Sequence, residues 1–280
     1  MVALVEPVSP LADKKPRGPS AGIAIAVSGG GYRAMLFHLG AFLRLFELGL
    51  LQKASRISSV SGGSITSAKV ALEWHRLGTR QDFIVHVVEP IRRVAGMTID
   101  VPAIIGGILL PGDVADYVAF AYRRLLFGNS TLQDLPGGPE FVINATNVET
   151  GTLWRFSRAS MADYQVGEIK KPTLSLASAV AASSAFPPFL SPYRLRVRPT
   201  DFSRAIAKDK ALLKDISLSD GGVYDNLGLE TAWKAYRNVL VSDAGAQLQS
   251  DPSPSSAWAR QAKRDIDIIY GQSRRFESAS

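Results

Sequence analysis

The segments VSGGGYRA (27–34) and SVSGGS (59–64) place serine and glycine at two turns, each following an apolar run and preceding a helical pattern. In the second, Ser61 has a small residue two positions away on either side, Ser59 and Gly63. That is the arrangement of a nucleophile elbow, a strand-to-helix turn too sharp for bulky neighbours, with the hydroxyl projecting at a helix N-terminus. The usual pattern is G-x-S-x-G, and Ser59 stands in the first glycine position. The same residues also read as a Ser/Gly-rich helix N-cap. In the first segment, Gly29, Gly30 and Gly31 uncover backbone N–H groups ahead of a helix, which makes an anion site. A nucleotide phosphate is one such anion. However, no lysine follows as a phosphate loop needs, and Ala34 ends the stretch where a dinucleotide fingerprint needs glycine. The oxyanion of an acyl-transfer intermediate suits the same donors. One turn then presents a nucleophile, and the other holds the charge that its attack creates.

Such a serine needs a base. The chain has three histidines, His38, His75 and His86, and none lies late in the sequence where an α/β hydrolase delivers its own. A carboxylate or a lysine therefore has to be considered. SLSDGGVYDNLG (217–228) supplies Asp220 at the end of a strand, with two glycines that let the backbone turn sharply into a crowded site. The plainer reading is a common Asp-Gly turn. Asp225 and Asp243 compete for the same role. By helix rise, His38 stands roughly 10 Å beyond Gly31 and His75 roughly 21 Å beyond Ser61. Both read as packing or surface residues, while His86 stays open.

These groups need a frame. GIAIAVS (22–28) reads as a short buried strand, and residues 32–49 carry apolar side chains at a helical period with Gly49 as C-cap. RISSV (56–60) is a second strand, and residues 62–77 a second helix. This alternation is the rhythm of a parallel sheet. Further along, two or three helices are expected over 81–127 around PAIIGGILLPGD. A strand pair follows at 141–147 and 152–157, then a helix ended by Pro187 and Pro188. A strand at 216–222, a helix near 228–236, a strand at 238–245 and a basic amphipathic helix at 257–276 complete the reading. The expected domain runs from 22 to 280 behind a proline-rich, flexible arm (1–21). The last helix has no clear cap, so the natural chain is expected to continue.

Composition narrows the function. The 280 residues hold 46% hydrophobic and 20% charged side chains, enough for a real core. The chain contains no cysteine, which removes thiolate zinc sites, disulfides and a cysteine nucleophile. Its N-terminus lacks the basic start and apolar stretch of a signal peptide. The apolar run 101–110 is too short to span a bilayer. The expectation is a cytoplasmic protein, peripheral on membranes. A net charge of +7, with small arginine groups, suits an anionic membrane surface. No zinc finger, RNP-type motif or long basic run points to nucleic acid.

Taken together and in order, GGGYRA, SVSGG and DGG resemble the oxyanion loop, serine elbow and aspartate motif of the patatin-like phospholipases. ASSAFPPF (182–189) resembles the proline-ended helix between elbow and aspartate, and ATNVETG a strand-turn segment of that family. The resemblance implies a three-layer α/β/α sandwich with a mostly parallel central sheet, and a Ser61–Asp220 dyad needing no metal or cofactor. It also implies an oxyanion hole from Gly29, Gly30 and Gly31, with Arg33 fixing that loop or adding positive charge. The implied activity is hydrolysis of acyl esters in phospholipid or lysophospholipid. Acyl transfer to another alcohol, or a catalytically silent membrane-binding module, are the alternatives.

Overall fold

The computed structural model describes residues 19–97 and 114–245, and beyond them 250–253, 255–257, 260–262, 264, 265 and 268. Most of the expected N-terminal arm, PAIIGGILLPGD and most of the expected helix at 257–276 lie outside the described residues.

The chain opens with β1 (Ser20–Val27), α1 (Gly31–Glu47), β2 (Ala54–Val60) and α2 (Gly62–Glu73). In β1, Ile25 and Val27 enter one core while Ala24 and Ala26 enter another on the opposite face. With both faces covered, the strand shows a continuous apolar run and no alternation. Nearly every side of α2 is buried, which accounts for its small and apolar residues all round. Then come α3 (Arg80–Phe83), a π-helical turn (Ile84–Val88), α4 (Glu89–Ala95) and α5 (Val114–Tyr122). The strand pair of the sequence reading is β3 (Glu140–Asn147) and β4 (Thr152–Phe156), followed by β5 (Ser160–Asp163) and β6 (Gly167–Lys170). The helix α6 (Leu176–Ser183) starts at Ser175, whose side chain accepts the N–H of Ser178, and ends a few residues before the prolines. The remaining elements are β7 (Tyr193–Leu195), β8 (Arg204–Ala205), β9 (Ile216–Asp220), α7 (Glu230–Trp233) and β10 (Tyr236–Ser242). The expected helix near 228–236 is thus a four-residue turn, because β10 begins early enough to pair Tyr236 with Ser20.

One ten-stranded sheet carries the fold in the order β10-β1-β2-β3-β4-β5-β6-β8, with β7 and β9 off this path. The pairs β10–β1, β1–β2 and β2–β3 are parallel, and the pairs from β3 outward are antiparallel. The fold is therefore the expected α/β sandwich. Its parallel part carries the two turns singled out in the sequence, and an antiparallel part extends it. The main core lies between the sheet and α1, α2, α4, α5 and α6. On the other face a small cluster of Ala24, Ala26 and Ala232 packs α7 against the sheet. Among the described residues no helix is long and apolar enough to cross a membrane.

Candidate active site

Ser61 follows the last residue of β2 and precedes the first of α2. Its backbone has φ 51° and ψ −124°, a region that side chains other than glycine rarely occupy and that stores strain. The neighbours explain how the turn closes. A side chain at Gly62 would collide with the Gly31 peptide, and one at Gly63 with the carbonyls of Val27 and Ser28. Packing α2 onto the end of β1 therefore requires glycine at both. Ser59 is fully buried and does more than fit. Its hydroxyl donates to the carbonyl of Val142 (3.2 Å) and accepts from Ser64 (3.1 Å), tying β2 to β3 and to the first turn of α2.

Ser183, at the end of α6, completes the support and was missed by sequence reasoning. Its Oγ accepts the N–H of Ser61 (3.0 Å) and donates to the carbonyl of Asn144 (2.6 Å). Ser64 Oγ lies 2.9 Å away. The signal was present in ASSAF, but a serine ending an alanine-rich helix reads as a cap until the strand beneath it is known.

Asp220 ends β9 and is 2% exposed, against 6% for Ser61. Its Oδ1 accepts the N–H of Gly222 at 2.8 Å. Oδ2 is buried without a closed hydrogen bond. Burial pushes the carboxyl up to about 6, while the neighbouring Ser61 hydroxyl and the Gly222 N–H partly hold it down. Gly221 is pressed against the Asn144 carbonyl, where a side chain would not fit.

Beside Ser61 runs the glycine loop. Gly30 has φ 135° and Gly31 φ 62°, so both need the freedom of glycine. The structure separates the three glycines. The N–H of Gly29 donates to the carbonyl of Asn226 at 2.9 Å, so it is not free for an oxyanion. The expected three-donor hole narrows here to Gly30 and Gly31. Gly30 has no hydrogen-bond acceptor for its N–H among the described residues, and Gly31 opens α1, where the first N–H groups of a helix lack partners. Gly29 instead serves by proximity: a side chain there would sit 3.2 Å from Ser61 Cβ and strike Asn226 Oδ1. Asn226 also fills the space beside Gly222. It links the glycine loop to the aspartate turn and is the second residue that sequence reasoning missed. Arg33 is exposed, and its guanidinium lies over Gly30.

The competing residues are occupied elsewhere. Asp225 accepts the N–H groups of Leu227 (3.1 Å) and Glu230 (2.8 Å), capping α7. Asp243 accepts the N–H of Gly245 in an exposed turn. Lys69, the lysine of α2, is bound to Glu73 at 2.6 Å. His75 is exposed, and His86 lies beside Asp82, which pairs with Thr79 in the capping box of α3. His38 is fully buried, and burial lowers its pKa to about 4, so the ring is neutral.

The family model for patatin-like phospholipases matches residues 25–233. Among solved structures, human GIVD cytosolic phospholipase A2 is similar with a TM-score of 0.51 at 14% identity, covering 89% of this chain and 48% of that one. VipD from Legionella pneumophila gives a TM-score of 0.38 at 14% identity, over 92% of this chain and 55% of that one. This chain thus spans about half the length of either structure. A search of curated proteins finds no match. The first structure speaks for the fold. The family match runs from β1 into α7 and encloses the glycine loop, the serine elbow and the aspartate turn, so the chain belongs to the patatin-like phospholipase family.

Proposed function

We propose that this protein is a serine lipid acyl hydrolase working through a Ser61–Asp220 dyad, with the domain beginning near residue 22. The observation that carries the reading is the delivery of a buried carboxylate to a strained serine at a strand-to-helix turn, with two unengaged glycine N–H groups alongside.

Asp220 takes the hydroxyl proton as Ser61 Oγ attacks the ester carbonyl. The carbonyl oxygen gains charge and is received by the N–H groups of Gly30 and Gly31, in the positive field at the start of α1. Asp220 then passes its proton to the departing alcohol, leaving acyl-Ser61. Water repeats the sequence and frees the fatty acid. A carboxyl pushed up to about 6 is roughly a hundredfold stronger base than an ordinary aspartate, yet mostly ionised at neutral pH. The substrate class is a phospholipid or lysophospholipid, taken from a membrane surface. Exposed Leu36 and Phe37 follow Arg33 on α1, and exposed Arg194, Arg196 and Arg198 alternate with buried Tyr193, Leu195 and Val197. Both features suit contact with an anionic, apolar interface.

The test is fluorophosphonate labelling with mass mapping, paired with fatty-acid release from phospholipid vesicles. A single labelled serine at position 61, together with fatty-acid release, is expected. Labelling without release but with acyl transfer to an added alcohol would favour the transferase reading. A folded protein that is neither labelled nor active would be a silent binding module.

A further inference from the structure

His38 is a buried, neutral imidazole outside the proposed dyad, and its hydrogen bonds join the start of the glycine loop to β10. One ring nitrogen, Nε2, lies 2.9 Å from the carbonyl oxygen of Ser28. A carbonyl only accepts, so the proton sits on Nε2. Nδ1 then carries the lone pair and accepts from Ser242 Oγ of β10, also at 2.9 Å. Helix rise had placed His38 away from the loop. That estimate ran along α1 from Gly31, whereas the loop leaves β1, which lies beneath the helix. Side chains on a helix also tilt toward its N-terminus, so the ring reaches back to the peptide where β1 ends.

The surrounding bonds fix the loop peptide by peptide. A trans peptide points its C=O and N–H in opposite directions. Between Ser28 and Gly29, the C=O is held by His38 and the N–H by the carbonyl of Asn226 at 2.9 Å. Between Gly29 and Gly30, the C=O is held by Ser28 Oγ at 3.1 Å, which sets the direction of the Gly30 N–H. Ser28 itself is tied to β10: its N–H donates to Ser242 O at 3.1 Å, and its Oγ accepts from Ala244 N–H at 2.9 Å. Of these locks, the one on the Ser28 carbonyl depends on the imidazole, and it sits at the peptide from which the glycine loop starts.

We propose that His38 is a positioning residue that aims the Gly30 and Gly31 N–H groups by clamping the Ser28 carbonyl to β10 through Ser242. As a statement about oxyanion donors this rests on the hydrolase reading above. As a statement about loop order it does not. Glutamine can supply an N–H donor at a similar reach, whereas leucine fills the space and leaves the Ser28 carbonyl unheld.

The experiment compares wild type, His38→Leu, His38→Gln and Ser242→Ala by amide hydrogen exchange over residues 28–34 and by the rate of fluorophosphonate labelling at Ser61. His38→Leu is expected to speed exchange in this segment at least tenfold. It should slow labelling and kcat by about tenfold, short of the 10²–10³ that follows loss of a whole donor, with KM unchanged. His38→Gln should recover most of both, and Ser242→Ala should move both in the direction of leucine by less. Unchanged exchange over 28–34 in a folded His38→Leu protein overturns the clamp. If that variant does not fold, unchanged exchange in Ser242→Ala overturns it equally. A wild-type protein that is never labelled sinks the hydrolase reading, and the exchange data still decide the clamp.

Discussion

Ser61 and Asp220 meet because the strands carrying them share one edge of β3 from opposite directions. The parallel strand β2 pairs with the first part of that edge, ending with Val60 opposite Asn144. The antiparallel strand β9 takes over at the next residue, with Asp220 opposite Ala145. The two strands arrive head-on, and each leaves the sheet at the same level. The hydroxyl donated by Thr146 to the Asp220 carbonyl (2.8 Å) and that of Ser183 to the Asn144 carbonyl (2.6 Å) lock both arrivals to β3.

Replacing the proposed nucleophile separates chemistry from fold. Ser61→Ala should abolish labelling and fatty-acid release with an unchanged far-UV spectrum. Ser61→Gly should do the same and also stabilise the protein. Glycine relieves a positive φ that costs on the order of 1–3 kcal/mol. Denaturant midpoints of the two variants measure the difference.

Asp220→Asn should lose nearly all turnover at every pH. In the wild type, kcat/KM should rise with pH through an apparent pKa of about 6 as the base ionises. Stability runs the other way. A raised folded-state pKa means that the native protein binds more protons than the unfolded chain between about pH 4 and 6, so this group's stabilisation is lost as pH rises through that window. Above it the ionised carboxylate costs on the order of 3 kcal/mol, and Asp220→Asn should be the more stable protein by up to that amount. Melting curves at pH 4 and pH 7.5 would expose the sign, and equal stabilities at pH 7.5 would remove the buried charge from the argument.

Gly62→Ala tests the packing of elbow against loop. The added methyl would overlap the Gly31 peptide and push it from Ser61. A fall of 10²–10³ in kcat is expected, about that of losing an oxyanion donor, with a loss of stability of about 1–3 kcal/mol from the overpacking. Stopped-flow measurement of acyl-enzyme formation would locate the loss in the acylation step.

Replacing exposed His75 and half-buried His86 together should leave labelling and turnover within about twofold, since neither ring belongs to the proposed dyad or its loop. A large loss of labelling in this double variant would restore a histidine base.

Neutralising Arg194, Arg196 and Arg198 to Gln should weaken binding to anionic vesicles by about a hundredfold, given about 1 kcal/mol per basic residue near such a surface. Hydrolysis of a soluble short-chain ester should not change. The difference should shrink with salt, as the Debye length falls from about 10 Å at 0.1 M to about 3 Å at 1 M. Equal binding of both proteins to anionic vesicles would exclude this stripe as the docking surface.

Local patterns carried much of this molecule. Apolar periodicity and the two glycine turns located β1, α1, β2 and α2 within a few residues, because these are short-range properties of the chain. Ser61 and Asp220 stood out as candidates for the same reason: each sits in its own turn motif, and the sequence has no histidine beyond residue 86. Other features depended on which segments lie side by side. The shared edge of β3, the antiparallel strands beyond it, and the committed N–H of Gly29 arise from contacts between residues far apart in sequence. Ser183, Asn226 and His38 carry no local sign of their roles: an alanine-rich helix, an Asx turn and an amphipathic helix hold such residues routinely. They acquire those roles only when α6 meets β3, the aspartate turn meets the glycine loop, and α1 lies over the end of β1 beside β10. Hydrogen bonding is directional and short-ranged, so the partner of a buried polar group is settled by tertiary packing rather than by its neighbours in sequence.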